Sequence, residues 1–401
     1  MFRFIHTSDW HLGQNFYGYD RSDEQRDFLA QLTAIVAEEQ PDALLVSGDI
    51  FHTAAPSSAA VSIYVDSLLN IHLACPSMTI IVIAGNHDSA SRLDSDKRLW
   101  ELARVRVLGG VARCDNGKAD LDRHIIRVGD RGIVAAVPFA YPSSFPLPED
   151  EPDLVRDERQ QAYFQALLDL ANADNPDGLP VALMAHLAVN ASDFTGHDLN
   201  RMMERVDISA LGKGYDYVAL GHIHRRQGLD ERVHYCGTPI PVSFDERYEH
   251  SVNIVEIDGH GSLPRVTKRV IKNLKPLHTV PPGNPLPLDE ALDEVSSRGD
   301  IKDAYIRLNV LVDGFLPSGT LERAASAVVA CGGRFCELHK TIPVATVVNK
   351  PRQMTVEEFN GKQPIEIAGQ YILEKFHREM TDQEKKMFND IYQQVQEESR
   401  Q

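Results

Sequence analysis

Five short stretches carry residues able to do chemistry: Asp9-Trp10-His11, Gly48-Asp49, Gly85-Asn86-His87-Asp88, an isolated His186, and Gly221-His222-Ile223-His224. Asp9, His11, Asp49, Asn86, His186, His222 and His224 supply two carboxylates, one amide oxygen and four imidazoles. That set suits two divalent ions of the manganese, iron or zinc kind. Asp49 is the natural bridge, because a carboxylate can offer one oxygen to each ion. Taken singly, a Gly-Asp or Gly-Asn-His-Asp is a turn in which glycine supplies positive φ, and a lone His after an apolar run is a hydrogen-bonded core residue. Their ordered co-occurrence points instead to a dinuclear site. Gly-His-Ile-His is the most specific piece, since imidazoles at i and i+2 after a strand face the same side.

Each stretch follows a short apolar run that reads as a buried strand: Phe2–Ile5, Ala43–Val46, Ile80–Ala84, Val181–Met184 and Tyr217–Leu220. In α/β sheets, residues just past the carboxyl ends of strands converge on one crevice. Helices fit between the strands. Ser22–Gln40 places Phe28, Leu29, Leu32, Ile35 and Val36 on one face, with Ser22 and Gln25 resembling a capping box. Ser58–Leu73 carries a stripe of Val61, Tyr64, Val65, Leu68 and Leu69. The alternation predicts an α/β domain over 1–275.

After Lys275 the stretch PLHTVPPGNPLPLD reads as a proline-rich connector unable to continue a strand or helix. A small βαβ unit is expected over 276–350, from AYIRLNVLVD, TLERAASAVVACGG and RFCELHKTIPV. A charged helical tail follows over 351–401, with Ile367, Tyr371, Ile372, Leu373 and Phe376 as its apolar residues. These are too few for a core, so from Thr355 the tail is expected to pack on something.

The 401 residues, 43% hydrophobic and 25% charged, suffice for a large domain and one or two smaller ones. No run approaches a membrane span and Met1-Phe2-Arg3 leads straight into the first strand, so a cytoplasmic protein is expected. Five cysteines, odd in number and without a CxxC pair, suggest neither a disulfide framework nor a thiolate metal site. A net charge of −17 argues against a surface coated for DNA. The site differs locally: two divalent ions against Asp9 and Asp49 leave a positive centre that attracts phosphate.

DWH, GDIFH, GNHD, an isolated His and GHIH, in this order, resemble the calcineurin-like metallophosphoesterases. HTSDWHLGQ and YCGTPIPVSFDE, at Tyr235–Glu246, further resemble the nuclease subunits of that family that act in double-strand-break repair. The resemblance implies a two-sheet α/β sandwich with a small βαβ capping domain and a helical tail that docks a coiled-coil ATPase. It implies a homodimer formed through helices in the region of Ser58–Leu73. It assigns Asp9, His11, Asp49 and His224 to one metal and Asp49, Asn86, His186 and His222 to the other, with manganese the expected ion.

His87 becomes the general acid facing the phosphate, grouped with His52 and Asp88. Many relatives have Asp where this chain has His52, so two histidines would have to share a hydrogen bond, and at least one must then be neutral. Arg225 and Arg226 are candidates for contact with double-stranded DNA. The activity implied is 3′–5′ exonuclease on duplex ends and endonuclease on hairpins. A phosphoesterase of the same fold acting on a small molecule or phosphoprotein, or a scaffold that has lost catalysis, remain the alternatives.

Overall fold

The computed structural model describes residues 1–115, 119–141, 145, 156–196, 205–312, 316–342, 364–376 and 378–398. They form two compact units, Met1–Thr341 and Ile342–Gln401.

The first unit is built on two six-stranded mixed sheets. In the first sheet the order is Arg265–Val270, Ser251–Ile257, Phe2–Thr7, Ala43–Ser47, Thr79–Ile83, Val105–Leu108, the last four strands being mutually parallel. In the second it is Gln227–Gly228, Val233–Tyr235, Tyr217–Gly221, Val181–His186, Gly132–Val137, Ile125–Val128.

The pleat explains why the central strands read as continuous apolar runs. Phe2, Phe4, Ala43, Leu45, Ile81 and Ile83 share one layer with Val134, Ala136, Ala182, Met184, Tyr217 and Ala219 of the other sheet. Their neighbours Ile5, Leu44, Val46, Ile80 and Val82 pack instead with Phe28, Leu32, Val36, Ile63 and Leu68 of the helices. Alternate residues thus fill opposite faces, and both faces are covered. The second sheet is covered outside by Arg156–Ala173, through Phe164, Leu167, Leu168 and Ala171.

Three local expectations change. The helix Ser22–Glu39 has Arg21 at its N-cap, and Ser22 Oγ donates to Asp20 rather than forming a reciprocal box. Gln25 serves the site loop: its Oε1 accepts from Gly13 N–H at 3.0 Å. In Ser58–Ala74 the buried face is Ala60, Ile63, Tyr64, Ser67, Leu68 and Ile71. Tyr64, 4% exposed, belongs to the core, whereas Leu69 and Leu73 of the same helix are exposed. A charge at Tyr64 would therefore test folding, and one at Leu69 would test assembly.

The third change concerns the connector after Lys275. Leu277–Val280 is a strand, paired in parallel with Tyr305–Leu311, which pairs in parallel with Arg334–Thr341. Four residues between Pro276 and Pro281 suffice for an edge strand, where prolines are tolerated. The small unit is thus β-α-β-α-β, with helices Leu288–Ser297 and Thr320–Ala330 and its own core of Val280, Ala291, Val295, Ile306, Leu308, Ala324 and Val328.

Within Ile342–Gln401, helices span Pro364–Phe376 and Asp382–Glu398, and Arg378 pairs with Glu384 at 2.7 Å. Of the expected apolar residues, Ile372 is half-buried and Leu373 exposed. The expected boundary at 350 and the tail start at Thr355 lie outside the described residues. No helix among the described residues is long and apolar enough to cross a membrane. All five cysteines are free, Cys75 and Cys236 being buried.

Candidate metal centre

Strands Phe2–Thr7, Ala43–Ser47, Thr79–Ile83, Val181–His186 and Tyr217–Gly221 end side by side, three in one sheet and two in the other. The five polar stretches that carry Asp, Asn and His meet there. His186 is the last residue of its own strand. Ser47 ties the sheets together: its Oγ donates to Ala219 O at 3.1 Å and its carbonyl accepts from His186 Nδ1 at 2.9 Å.

The turns past these strand ends are held in costly conformations. Asp9, His11, Asp49 and His222 all have positive φ, at 53°, 47°, 51° and 99°. Such backbones cost about 1–3 kcal/mol each and persist only where surrounding contacts over-determine them. Backbone bonds from Asp9 N to Gly48 O at 2.9 Å and from His11 N to Asp49 O at 3.0 Å lock two of these turns together.

Glycine is required where the turns touch. A Cβ on Gly85 would overlap Asp49 Oδ1 and its backbone nitrogen, and one on Gly221 would overlap Ser47 O. Gly85→Ala is therefore expected to displace the Asp49 carboxylate and to lower bound metal per chain, read by elemental analysis. Unchanged metal content would show that the Asp49 position does not matter to binding.

Among the described residues, three groups of donors lie close enough to hold a cation each, two of them from the expected set, Asp9, His11 and His224, and Asp49, His186 and His222, and the third His11, His52 and His87. Asn86 completes the second, its Oδ1 lying 3.0 Å from His186 Nε2 and 3.1 Å from His222 Nδ1. Asp49 lies between the groups, 3.8 Å from His11 Nε2 and 3.5 Å from His186 Nε2. Both ring nitrogens of buried His11 lack a hydrogen-bond partner. An imidazole so placed, among carboxylates and facing the gap, fits a metal ligand.

Charge coupling within the cluster agrees with that fit. Burial is the largest influence on Asp9, His11, Asp49, His186 and His224. It raises the Asp9 carboxyl, opposed by His186 and reinforced by Asp49, and it holds His11 well below the usual histidine range. At Asp49 burial is outweighed, chiefly by His186, so its carboxyl lies well below the usual range. At His186 burial is likewise outweighed, chiefly by Asp49, and its pKa rises to about 9. A buried carboxylate–imidazolium pair of this kind exchanges its proton for a divalent ion when one binds.

The orienting shell was only partly legible in the sequence. Glu246, 6% exposed, stands outside the donor set read from the sequence, yet its Oε1 lies 3.0 Å from His224 Nδ1. A carboxylate on one imidazole nitrogen aims the other at a metal. Its signal was present, as the acidic end of the Tyr235–Glu246 stretch. Ser8 Oγ donates to Asp9 Oδ2, and His222 N–H to Asp9 Oδ1 at 3.1 Å.

The catalytic candidates separate by what they touch. His87 N–H donates to Asp49 Oδ1 at 2.9 Å, and its Nδ1 donates to the carbonyl of His52 at 2.8 Å. The expected ring-to-ring bond is thus replaced by a backbone acceptor, and the two rings are stacked with centroids 5.7 Å apart. Asp88 has both oxygens engaged by the N–H groups of Ile50, Phe51 and Gly85, at 3.0, 2.9 and 2.8 Å. Burial and then Asp49 raise its pKa to about 7 against those three donors. Its place is that of a clamp between the two loops.

Arg226 is half-buried, its Nε donating to Asn253 Oδ1 at 2.6 Å. Arg225 is 39% exposed and paired with Asp193.

Residues 2–226 match the family described as calcineurin-like phosphoesterase. The D subunit of the nuclease SbcCD from Rhodobacter capsulatus is 36% identical over 277 residues, 66% of this chain and 68% of that protein. The corresponding D subunits of Escherichia coli strain K12 and Bacillus subtilis strain 168 are each 33% identical, over 62% and 63% of this chain and 64% and 66% of their own lengths. The chain thus matches about two thirds of the length of these relatives. Because the family match takes in more than half the chain and every converging Asp, Asn and His, the chain belongs to the calcineurin-like phosphoesterase family, as a homologue of the SbcCD D subunits.

Proposed function

We propose that this chain is the metal-dependent DNA nuclease subunit of an SbcCD-type complex, acting with the coiled-coil ATPase SbcC in DNA repair, recombination and replication. The observation that carries the reading is the meeting of seven donor residues from five strand ends, in a chain whose relatives are SbcCD D subunits. Asp9, His11, Asp49 and His224 hold one divalent ion, and Asp49, Asn86, His186 and His222 the other, with manganese the preferred metal. Bound there, such ions supply Lewis acidity toward a phosphodiester and make water a stronger nucleophile at neutral pH. Ser47 and Glu246 keep the imidazoles of His186 and His224 turned toward the ions.

His87 is the proton donor. Its Nδ1–H is committed to a carbonyl, which can only accept, so Nε2 is the atom that gives a proton to the leaving oxygen. Arg225 is placed for a phosphate contact, because its exposed pairing with Asp193 is readily exchanged for a DNA backbone oxygen. On this reading the chain has three parts: a nuclease domain over 1–275, a capping domain over 276–350, and a tail over 351–401 that docks on SbcC as helices in a groove. A homodimer forms through the outer face of Ser58–Ala74, and the complex works in the cytoplasm on chromosomal DNA, with 3′–5′ polarity at duplex ends.

Purified protein, incubated with manganese and a labelled DNA hairpin or blunt duplex, with and without SbcC, is expected to cut both substrates and to stop when the metal is chelated. Hydrolysis of a small phosphodiester with both DNA substrates left intact would replace this reading by that of a small-molecule or phosphoprotein phosphoesterase.

A further inference from the structure

The loop that carries Glu246 is gripped from its far side by the small parallel sheet. Arg307, 6% exposed in the central strand Tyr305–Leu311, donates from Nη2 to Asp245 Oδ1 at 2.8 Å, and its guanidinium lies 5.1 Å from the centre of the Phe244 ring. A bond from its Nε to Thr279 Oγ1 at 3.1 Å anchors it within its own sheet. Tyr305, two residues earlier and so on the same face of the strand, donates to Glu24 Oε1 at 2.9 Å. Glu24 pairs with Arg21 at 3.0 Å, and Arg21 donates to the carbonyl of Pro241 at 2.6 Å. The loop is therefore held at Pro241 and again at Asp245.

Glu246 is the next residue. Its Oε2 accepts from Val242 N–H at 3.2 Å and Thr238 Oγ1 at 3.3 Å, while Oε1 faces His224. Taking Arg21 and Glu24 fully out of water is costly, and a buried pair of this kind is better suited to specifying geometry than to adding stability. The geometry it specifies here is that of a loop one residue from a ligand-orienting carboxylate.

We propose that the small parallel sheet positions the metal ligand His224: Arg307 on Asp245 and Arg21 on Pro241 hold the loop from which Glu246 orients that imidazole. The inference rests on the metal-site reading of His224. It makes Arg307 a positioning residue, and it makes the affinity of one of the two metals depend on where the small sheet sits.

The test is manganese titration of the full chain by calorimetry, with electron paramagnetic resonance to count the bound ions. Glu246→Gln marks the His224 site by weakening one of two binding events about 10- to 100-fold. Arg307→Met is expected to weaken that same event by about three- to tenfold and to leave the other unchanged, and Arg307→Lys to recover most of the loss. If Arg307→Met does not fold, Asp245→Ala, at a side chain 62% exposed, removes the same contact and carries the same expectation. Equal weakening of both events, or of neither, overturns the inference, as does a lysine variant no better than methionine. The inference is read on metal affinity and the nuclease reading on DNA cleavage, so the two fail separately.

Discussion

Asp49→Asn is expected to reduce bound manganese from two ions to one or none and to lower DNA cleavage by about a thousandfold or more. The carboxylate lies between the two donor groups, 3.8 Å from His11 Nε2 and 3.5 Å from His186 Nε2, which is the position a bridging ligand needs. An amide keeps one acceptor oxygen, enough for the His87 N–H, but offers no charge to either cation. Lewis-acid stabilisation of a phosphoryl transition state is worth several kcal/mol, and about 1.4 kcal/mol is tenfold in rate. Losing Asp49 also removes the main influence that raises the pKa of His186. The variant should still fold, since Ala43–Ser47 pairs through its backbone on both sides. Elemental analysis and hairpin cleavage are the measurements, and two tightly held ions with near-normal turnover would remove Asp49 as the bridge.

His87→Gln is expected to keep both ions and DNA binding while slowing the chemical step by about a hundred- to ten-thousandfold, the range for a group that moves a proton in the transition state. Its ring packs edge-on against His11, centroids 5.0 Å apart, so it stands beside the metal ligands. Single-turnover cleavage under saturating manganese separates this slowing from weaker binding. His52→Asp supplies the contrast: the acceptor for His87 Nδ1 is the backbone carbonyl of residue 52, which any side chain there preserves. That variant should change the rate far less than His87→Gln does. A loss of metal in His87→Gln would make His87 a ligand and overturn its assignment as the acid.

Which residues meet, and past the ends of which strands, is legible in the order of residue types along the chain. Strand period is two, so a continuous apolar run such as Ala43–Ser47, read as a strand, must be covered on both faces, and the residues after it emerge at an end of the sheet. The order of Asp, Asn and His past five such runs was therefore enough to anticipate which side chains meet. Local pattern also sufficed for the helix Thr320–Ala330 and the strands around it.

Features that depend on distance rather than order come only with the fold. The strand Leu277–Val280 reads as a loop between prolines and becomes a strand only because Tyr305–Leu311 offers it a partner. Tyr64 lies on a stripe whose inward side is defined by the sheet beneath it. The acceptor of His87 is a backbone atom, which a residue's identity cannot announce, and the Arg226 Nε finds its acceptor in Asn253 of the strand Ser251–Ile257. Glu246 acquires its role from a hydrogen bond to His224, 22 residues away. Periodicity and residue type are local quantities carried by the chain, whereas hydrogen-bond partners and burial are properties of pairs that only the folded arrangement brings together.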